Sequence, residues 1–165
     1  MTSTTLQLDA IDLHLLARLQ VDATLNNQML AELVHVSPPT CLRRVKRLRD
    51  VGLIEREIAV LSADTLAQVI GHGLTAMVEI TLDRQDQGAL EAFEQRVARE
   101  DAVQQCYRVS PGPDFCLVVH ATDMPDYLAL TQRLFTADAN VRNVKTFFSI
   151  KRSKFGAQLP LPAAI

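Results

Sequence analysis

The sequence predicts an α+β chain, in which a helical first third precedes a succession of strands and helices. Up to about Val51, apolar residues recur at three- and four-residue spacing, which is typical of amphipathic helices. From residue 72 onward, segments of strand length alternate with helical segments in the order β-α-β-β-α-β. The length of 165 residues suits two small domains or one large one.

The first two helices are predicted from a capping residue and an apolar stripe. Asp9 is a suitable N-cap for the first helix, and Asn26 or Asn27 for the second. The residues predicted to face inward are Ile11, Leu15, Leu16 and Leu19 in the first helix, and Met29, Leu30, Leu33 and Val34 in the second.

A third helix is predicted from Ser37, because a serine N-cap followed by Pro38 is a specific start signal. It should run to about Val51 and end before Gly52, where a glycine is expected. Its apolar side should comprise Cys41, Leu42, Val45, Leu48 and Val51. Its other side is basic, and no acidic residue interrupts the segment from Arg43 to Arg49.

Two helices, a tight turn and a basic third helix together indicate a helix-turn-helix whose third helix enters the DNA major groove. Arg43 could bond a guanine bidentately, and Thr40 could touch a base edge. The remaining cations would neutralise phosphates. The predicted base-edge contacts are Pro39, Thr40 and Arg43, and the predicted phosphate contacts are Arg44, Lys46 and Arg47. The alternative is that the basic run is only a solvated helix face.

The segment after Gly52 is partly alternating, so Leu53–Leu61 is predicted to form two short strands that make a wing. Residues 62–70 contain neither glycine nor proline, and we expect a defined connector with one helical turn.

The last two thirds of the chain match a ferredoxin-like βαββαβ domain. The predicted strands are His72–Leu82, Val103–Ser110, Phe115–Ala121 and Val141–Lys151. The predicted helices are Gln87–Glu100 and a segment capped by Asp123. Two helices cover only one face of such a sheet, so we expect a second copy to cover the other face in a homodimer.

Composition excludes several other classes of protein. Hydrophobic residues make up 48% and charged residues 22%, and no apolar run reaches the length of a membrane span. The first nine residues do not form a signal peptide, so we expect a cytoplasmic protein. The three cysteines, predicted to be buried free thiols, and the four histidines lack metal-site spacing. No nucleotide-binding loop or nucleophile motif occurs, so neither a metal, a cofactor, a catalytic residue nor an enzyme is predicted.

Five segments stand out in order along the chain: LDAIDLHLLARLQVDATLNNQMLAEL, SPPTCLRRVKRL, GLIEREIAVLS, TDMPDY and KTFFSIKRSKFGAQLPL. Together they resemble the Lrp/AsnC family of prokaryotic transcription regulators. The resemblance implies a winged helix-turn-helix over residues 1–61, a linker over 62–71 and a so-called RAM domain over 72–165. It further implies that the RAM domain dimerises and binds an amino acid, and that dimers assemble into tetramers or octamers.

By position in that family, the candidate effector contacts are Ser110, Gly112, Asp114, Phe115 and Thr146. Asp114 could accept hydrogen bonds from the ammonium group of an amino acid. The backbone N–H of Gly112 and the hydroxyl of Thr146 could bind its carboxylate. The sequence departs from the family's usual glycines at His35 and Pro111, and Phe115 stands where a tyrosine is usual. The alternative is that Pro-Gly-Pro-Asp is only a rigid turn in which Asp114 bonds its own backbone.

The sequence thus predicts a sequence-specific regulator of transcription that binds double-stranded DNA and responds to a small effector, for which the family resemblance implies an amino acid. The altered effector turn leaves a second hypothesis open: an architectural protein that binds DNA with little sequence preference and no effector.

Overall fold

The computed structural model describes residues 7–71 and 73–162. The chain divides into two compact units. One comprises the residues up to Val60 together with the segment from Lys154, and the other spans Leu61–Ser153. None of the helices in the described part of the chain has the length and hydropathy of a membrane-spanning segment.

The first unit contains three helices: α1 (Ala10–Leu19), α2 (Asn27–Leu33) and α3 (Pro38–Asp50). As predicted, Asp9 caps α1, where its carboxylate accepts a hydrogen bond from the backbone N–H of Asp12 at 2.9 Å. Asn26 caps α2 by accepting from the Met29 N–H at 2.9 Å. Gly52 follows α3 with φ of +78°, a conformation that glycine adopts without strain.

The core of the first unit is small and lies where the three helices meet. Its buried members are Leu15, Leu30, Ala31, Val34, Cys41, Val45 and Leu48. Four side chains predicted to face inward are instead substantially exposed: Met29, Leu33, Leu42 and Val51. Three short helices bury only a narrow stripe each, so residues at the edge of a predicted apolar face stay in contact with water.

The predicted wing is wrong for this chain. Residues 53–60 contain no strand, and Ile58 and Val60 are exposed. A hairpin needs a turn sequence that reverses the chain, and none occurs here. The connector contains more helix than the single turn predicted, since residues Ala63–Ile70 form the eight-residue helix α4. Ser62 caps α4 by accepting from the Thr65 N–H at 3.2 Å.

The second unit continues with β1 (Leu74–Leu82), α5 (Gln87–Val97), β2 (Val103–Arg108), β3 (Phe115–Ala121), α6 (Met124–Thr131) and β4 (Val141–Phe148). A π-helical turn at Gln132–Thr136 extends α6. The four strands form an antiparallel sheet in the order β2-β3-β1-β4, as the ferredoxin-like prediction requires. β1 begins later than predicted, at Leu74, and β4 ends earlier than predicted, at Phe148. His72, predicted to start β1, lies outside the described residues.

One face of the sheet carries the apolar core of this unit. Alternate residues of β1, Ala76, Val78, Ile80 and Leu82, are almost fully buried with residues of α5, β3 and α6. Phe93 on α5 stacks on Phe115 of β3 with ring centroids 4.7 Å apart. The expectation of buried cysteines holds for Cys41 but is wrong for Cys106, which lies exposed on the edge strand β2.

Candidate nucleic-acid interface and effector turn

The turn between α2 and α3 places the third helix on the other two. His35 adopts a left-handed conformation with φ of +57°, which lets Val36 donate its N–H to the Ala31 carbonyl at 3.0 Å. The side-chain amide of Asn27 donates to the Pro38 carbonyl at 2.9 Å. Histidine therefore adopts the backbone conformation that glycine would adopt with less strain.

α3 has one buried and one solvent-facing side. Cys41, Val45 and Leu48 are buried in the core of the first unit. The predicted base-edge residues are presented outward: Pro39 and Arg43 are exposed and Thr40 is half-buried. The Thr40 hydroxyl lies 2.9 Å from the Ser37 hydroxyl, and the two form a hydrogen bond. Ser37 does not make the side-chain cap bond to the helix backbone that is expected of an N-cap serine.

The five cations between Arg43 and Arg49 fall into two groups. Arg44 donates to the carboxylates of Asp9 at 2.7 Å and Asp12 at 2.9 Å. Arg47 donates to the second oxygen of Asp12, and Arg49 pairs with Glu57. Among the described residues, neither Arg43 nor Lys46 has a salt-bridge partner.

Asp12 is at the centre of this ion-pair cluster, which comprises Asp9, Asp12, Arg44 and Arg47. It is the buried charged residue of the described chain, with 1% of its surface exposed. Besides the two arginines, it accepts a bond from the Asp9 N–H at 3.3 Å, completing the capping box of α1. The hydrogen bond from the Asp12 N–H, followed by that from Arg44, lowers the pKa of Asp9 below its ordinary value of 3.8.

The predicted effector turn connects β2 to β3 and includes a cis Ser110–Pro111 peptide bond. Asp114 does not bond its own backbone. One of its carboxylate oxygens accepts from the Leu82 N–H at 2.7 Å and from the Gln85 side chain at 3.2 Å. The other oxygen makes no hydrogen bond within the described chain. Gly112 has φ of +122° and no atom within 4 Å of where a side chain would begin.

The structure does not bring all five candidate effector residues together. Ser110, Gly112 and Asp114 share the turn, whereas the Phe115 side chain is fully buried in the core. Phe115 pairs with Ile80 across one side of β1, and Thr146 pairs with Val78 across the other. The Thr146 hydroxyl lies 2.6 Å from the Tyr127 hydroxyl on the helix-covered face.

The other face of the sheet carries exposed apolar side chains beside the charged Glu79 and Lys145, and neither α5 nor α6 covers it. We define the open face by four residues: Met77, Tyr107, Val118 and Phe147. Met77 lies opposite both Val118 and Phe147, and alternates with the buried residues of β1. Lys145 extends over the Phe147 ring, with its ammonium nitrogen 4.7 Å from the centroid.

No three histidine, cysteine, aspartate or glutamate side chains of the described residues are grouped to hold a metal ion. The basic surface of α3 and the turn of the second unit are therefore the two features that carry candidate chemistry.

Both units match known protein families. Residues 8–49 match the AsnC-type helix-turn-helix domain, and residues 75–159 match the Lrp/AsnC ligand binding domain. The chain belongs to the Lrp/AsnC family.

The similarity extends over most of the length of curated relatives. A leucine-responsive regulatory protein of Rhizobium meliloti is 35% identical over 155 residues, which cover 94% of this chain and 97% of the relative. An HTH-type transcriptional regulator of Haemophilus influenzae is 37% identical over 147 residues, covering 89% and 85%. The solved structure of a Neisseria meningitidis transcriptional regulator with L-Met has a TM-score of 0.79 and 28% identity, covering 93% and 97%. This Lrp/AsnC chain is accordingly a DNA-binding transcription regulator and not an enzyme.

Sequence reasoning missed two residues of this Lrp/AsnC chain, Asp12 and Gln85. The signal for Asp12 was available: an acid three residues after the capping Asp9 matches a capping box, and it lies on the same face as Leu15. No comparable signal marks Gln85, because its contact with Asp114 joins positions 29 residues apart.

Proposed function

We propose that this Lrp/AsnC regulator binds specific DNA sites through the outer face of α3 and responds to a small effector, of which amino acids are the leading class. The observation that supports DNA recognition most directly is that Arg43 and Lys46 project from a well-packed helix without salt-bridge partners among the described residues. Pro39, Thr40 and Arg43 would contact base edges, and Lys46 would contact phosphate. A chromosomal DNA target implies that the protein acts in the cytoplasm of a prokaryotic cell.

Paired substitutions test the recognition surface. Arg43→Ala should relax base preference at one position of a selected duplex, where a lost bidentate contact typically costs about 1–3 kcal/mol. Lys46→Ala should weaken binding to selected and scrambled duplexes alike, and should lower the salt slope by about 0.9. Wild-type binding by both variants at two salt concentrations would contradict this assignment of the interface.

For the effector we propose a site at the turn of Ser110, Gly112 and Asp114. The carboxylate oxygen of Asp114 without a hydrogen bond could accept from an ammonium group, and the Gly112 N–H could donate to a carboxylate. Phe115 and Thr146 would support this site rather than touch the effector, because Phe115 is buried in the core and the Thr146 hydroxyl is bonded to Tyr127. The similar Neisseria regulator was solved as a complex with L-Met, which supports an amino acid as the class to test.

A thermal-shift screen against the twenty amino acids tests the effector proposal. A ligand present at about 100 times its Kd adds about 2.7 kcal/mol of stability, enough to raise the melting temperature visibly. Asp114→Asn should abolish the shift, whereas Asp83→Asn, an exposed acid at the same end of the sheet, should retain it. No shift with any amino acid would favour the architectural alternative, which is supported by Asp114 already bonding Leu82 and Gln85.

We further propose that the open face is where two copies of the chain meet as a homodimer. Its aromatic and apolar side chains are exposed on a sheet whose opposite face already packs on α5 and α6. A dimer would also present two copies of α3 to two half-sites on DNA. Assembly of dimers into tetramers or octamers is proposed from the family resemblance, and sedimentation of the full chain tests both levels of assembly.

A further inference from the structure

The basic charge of α3 is partly neutralised from within the first unit, and Asp12 is the residue responsible. Its buried carboxylate bonds Arg44 with one oxygen and Arg47 with the other. The Arg47 side chain remains 44% exposed, whereas that of Arg44 is 21% exposed. Arg47 is therefore at the surface of the helix and yet already bonded to a carboxylate.

A DNA phosphate that recruits Arg47 must compete with this carboxylate. Withdrawing Arg47 would leave the buried Asp12 carboxylate with Arg44 as its remaining ion-pair partner, and removing a partner from a buried ion pair is unfavourable. Arg43 and Lys46 carry no such cost, because neither has an ion-pair partner in the described part of the chain. The cations of α3 are consequently not equivalent toward DNA.

We propose that Asp12 is a specificity-determining residue of this regulator, which lowers sequence-independent DNA affinity by holding Arg47 away from phosphates. Non-specific affinity comes almost wholly from cation–phosphate contacts and counterion release. Specific binding adds base contacts, which this arrangement leaves to Arg43 and its neighbours. By restraining one phosphate contact, Asp12 raises the ratio of specific to non-specific binding. The inference rests on the proposed recognition role of α3.

Asp12 acts here as a positioning residue, since it does not itself touch DNA in this arrangement. Its removal should free one arginine rather than two. Arg44 also bonds Asp9 at 2.7 Å, and that ion pair would persist when the charge of Asp12 is lost. The released guanidinium is therefore that of Arg47.

The first test compares Asp12→Asn with Asp50→Asn in the full-length protein. Asp50 is an exposed acid at the end of α3, the helix that carries Arg47, and each of the two substitutions raises the net charge by one unit. The probes are a duplex enriched from a random pool by the wild-type protein and a scrambled duplex of equal length and composition. Affinities are measured by fluorescence anisotropy at several salt concentrations.

We expect Asp12→Asn to bind the scrambled duplex several-fold more tightly than Asp50→Asn does. Its plot of log affinity against log salt should be steeper by about 0.9, corresponding to one additional phosphate contact. Discrimination between the two duplexes should fall, and Arg47→Ala in the Asp12→Asn background should reverse these changes. Equal behaviour of the two variants would overturn the proposal. It would also be overturned if Asp12→Asn bound both duplexes equally more weakly with an unchanged salt slope, because that is what a merely structural role of Asp12 predicts.

A second test does not depend on the folding of Asp12→Asn. In the otherwise wild-type chain, Arg47→Ala should lower the salt slope by much less than 0.9, whereas Lys46→Ala should lower it by about 0.9. Equal decreases for the two variants would mean that Arg47 contacts phosphate freely, and the proposal would be wrong. Failure of the wild-type protein to bind either duplex would instead contradict the proposed function itself.

Discussion

The two units of this regulator bury their polar groups differently. The DNA-binding unit has a core of seven buried apolar side chains and one buried carboxylate, that of Asp12, whose ion-pair partners reach the surface. The second unit encloses a larger apolar core, in which the notable polar group is the neutral hydroxyl of Tyr127, bonded to Thr146. The unit with exposed cations on α3 has an internal anion, and the unit with exposed apolar side chains on its sheet has an apolar interior.

This contrast follows from what each surface must do. A basic helix is stabilised and oriented when part of its charge is paired at its base, and Asp12 provides that pairing at α3. A sheet with one face buried needs only alternation of side chains to expose the other face, as β1 shows. Four substitutions test this difference between the two units.

Phe115→Ala should have the largest effect, because it removes a fully buried ring that stacks on Phe93. The free energy of unfolding should fall by about 3–5 kcal/mol. Urea denaturation measures the change, and Phe115→Leu, which retains most of the apolar volume, should lose much less. A loss below about 1 kcal/mol for the alanine variant would mean that Phe115 is not part of the core.

Phe147→Glu tests whether the apolar surface of the second unit is an interface. A buried, unpaired carboxylate on the open face should raise the dimer dissociation constant at least about tenfold, equivalent to roughly 1.4 kcal/mol. Analytical ultracentrifugation measures the change. Leu128→Glu on α6 is the matched control, since Leu128 is at least as exposed as Phe147 but does not belong to the open face. Identical dissociation constants for the two variants would exclude the open face as the interface.

Tyr127→Phe tests the neutral polar group of the second unit. The hydroxyl lost from Tyr127 lies 2.6 Å from that of Thr146, so the free energy of unfolding should fall by about 0.5–1.5 kcal/mol. Burial raises the pKa of Tyr127, and the hydrogen bond to Thr146 opposes that rise, so the group is a neutral partner near pH 7. Adding Thr146→Val should cost less than the sum of the single losses; strict additivity would show that the bond contributes nothing.

Asp9→Asn should have the smallest effect, because asparagine preserves the N-cap and Asp9 is about half exposed. The folded-state pKa of Asp9 is lowered, so its charge stabilises the protein above its ordinary pKa of 3.8, and this contribution disappears as the pH falls through the lowered value. The wild-type advantage in melting temperature should therefore be present at pH 6 and shrink toward pH 3. An advantage independent of pH would assign the effect to the cap alone.

Local signals predicted much of the fold. Asp9, Asn26 and Asp123 cap helices as expected, because a cap bond spans only three residues and depends on little else. The strand order followed from the β-α-β-β-α-β succession and the few ways in which it can pack. The outward direction of Arg43 was predictable from helical spacing, because the apolar residues of α3 fix which side of that helix is buried.

The helices of the first unit, the topology of the second and the family were therefore predictable from the amino-acid order alone. Tertiary structure alone decided that residues 53–60 form no strand, that Leu42 stays exposed, and that Thr146 bonds Tyr127. It also decided which cations of α3 are paired, since Arg47 and Asp12 are 35 residues apart in the chain. Composition counts charges along the chain, but the energy of an ion pair depends on distance and burial, which exist only once the helices have packed.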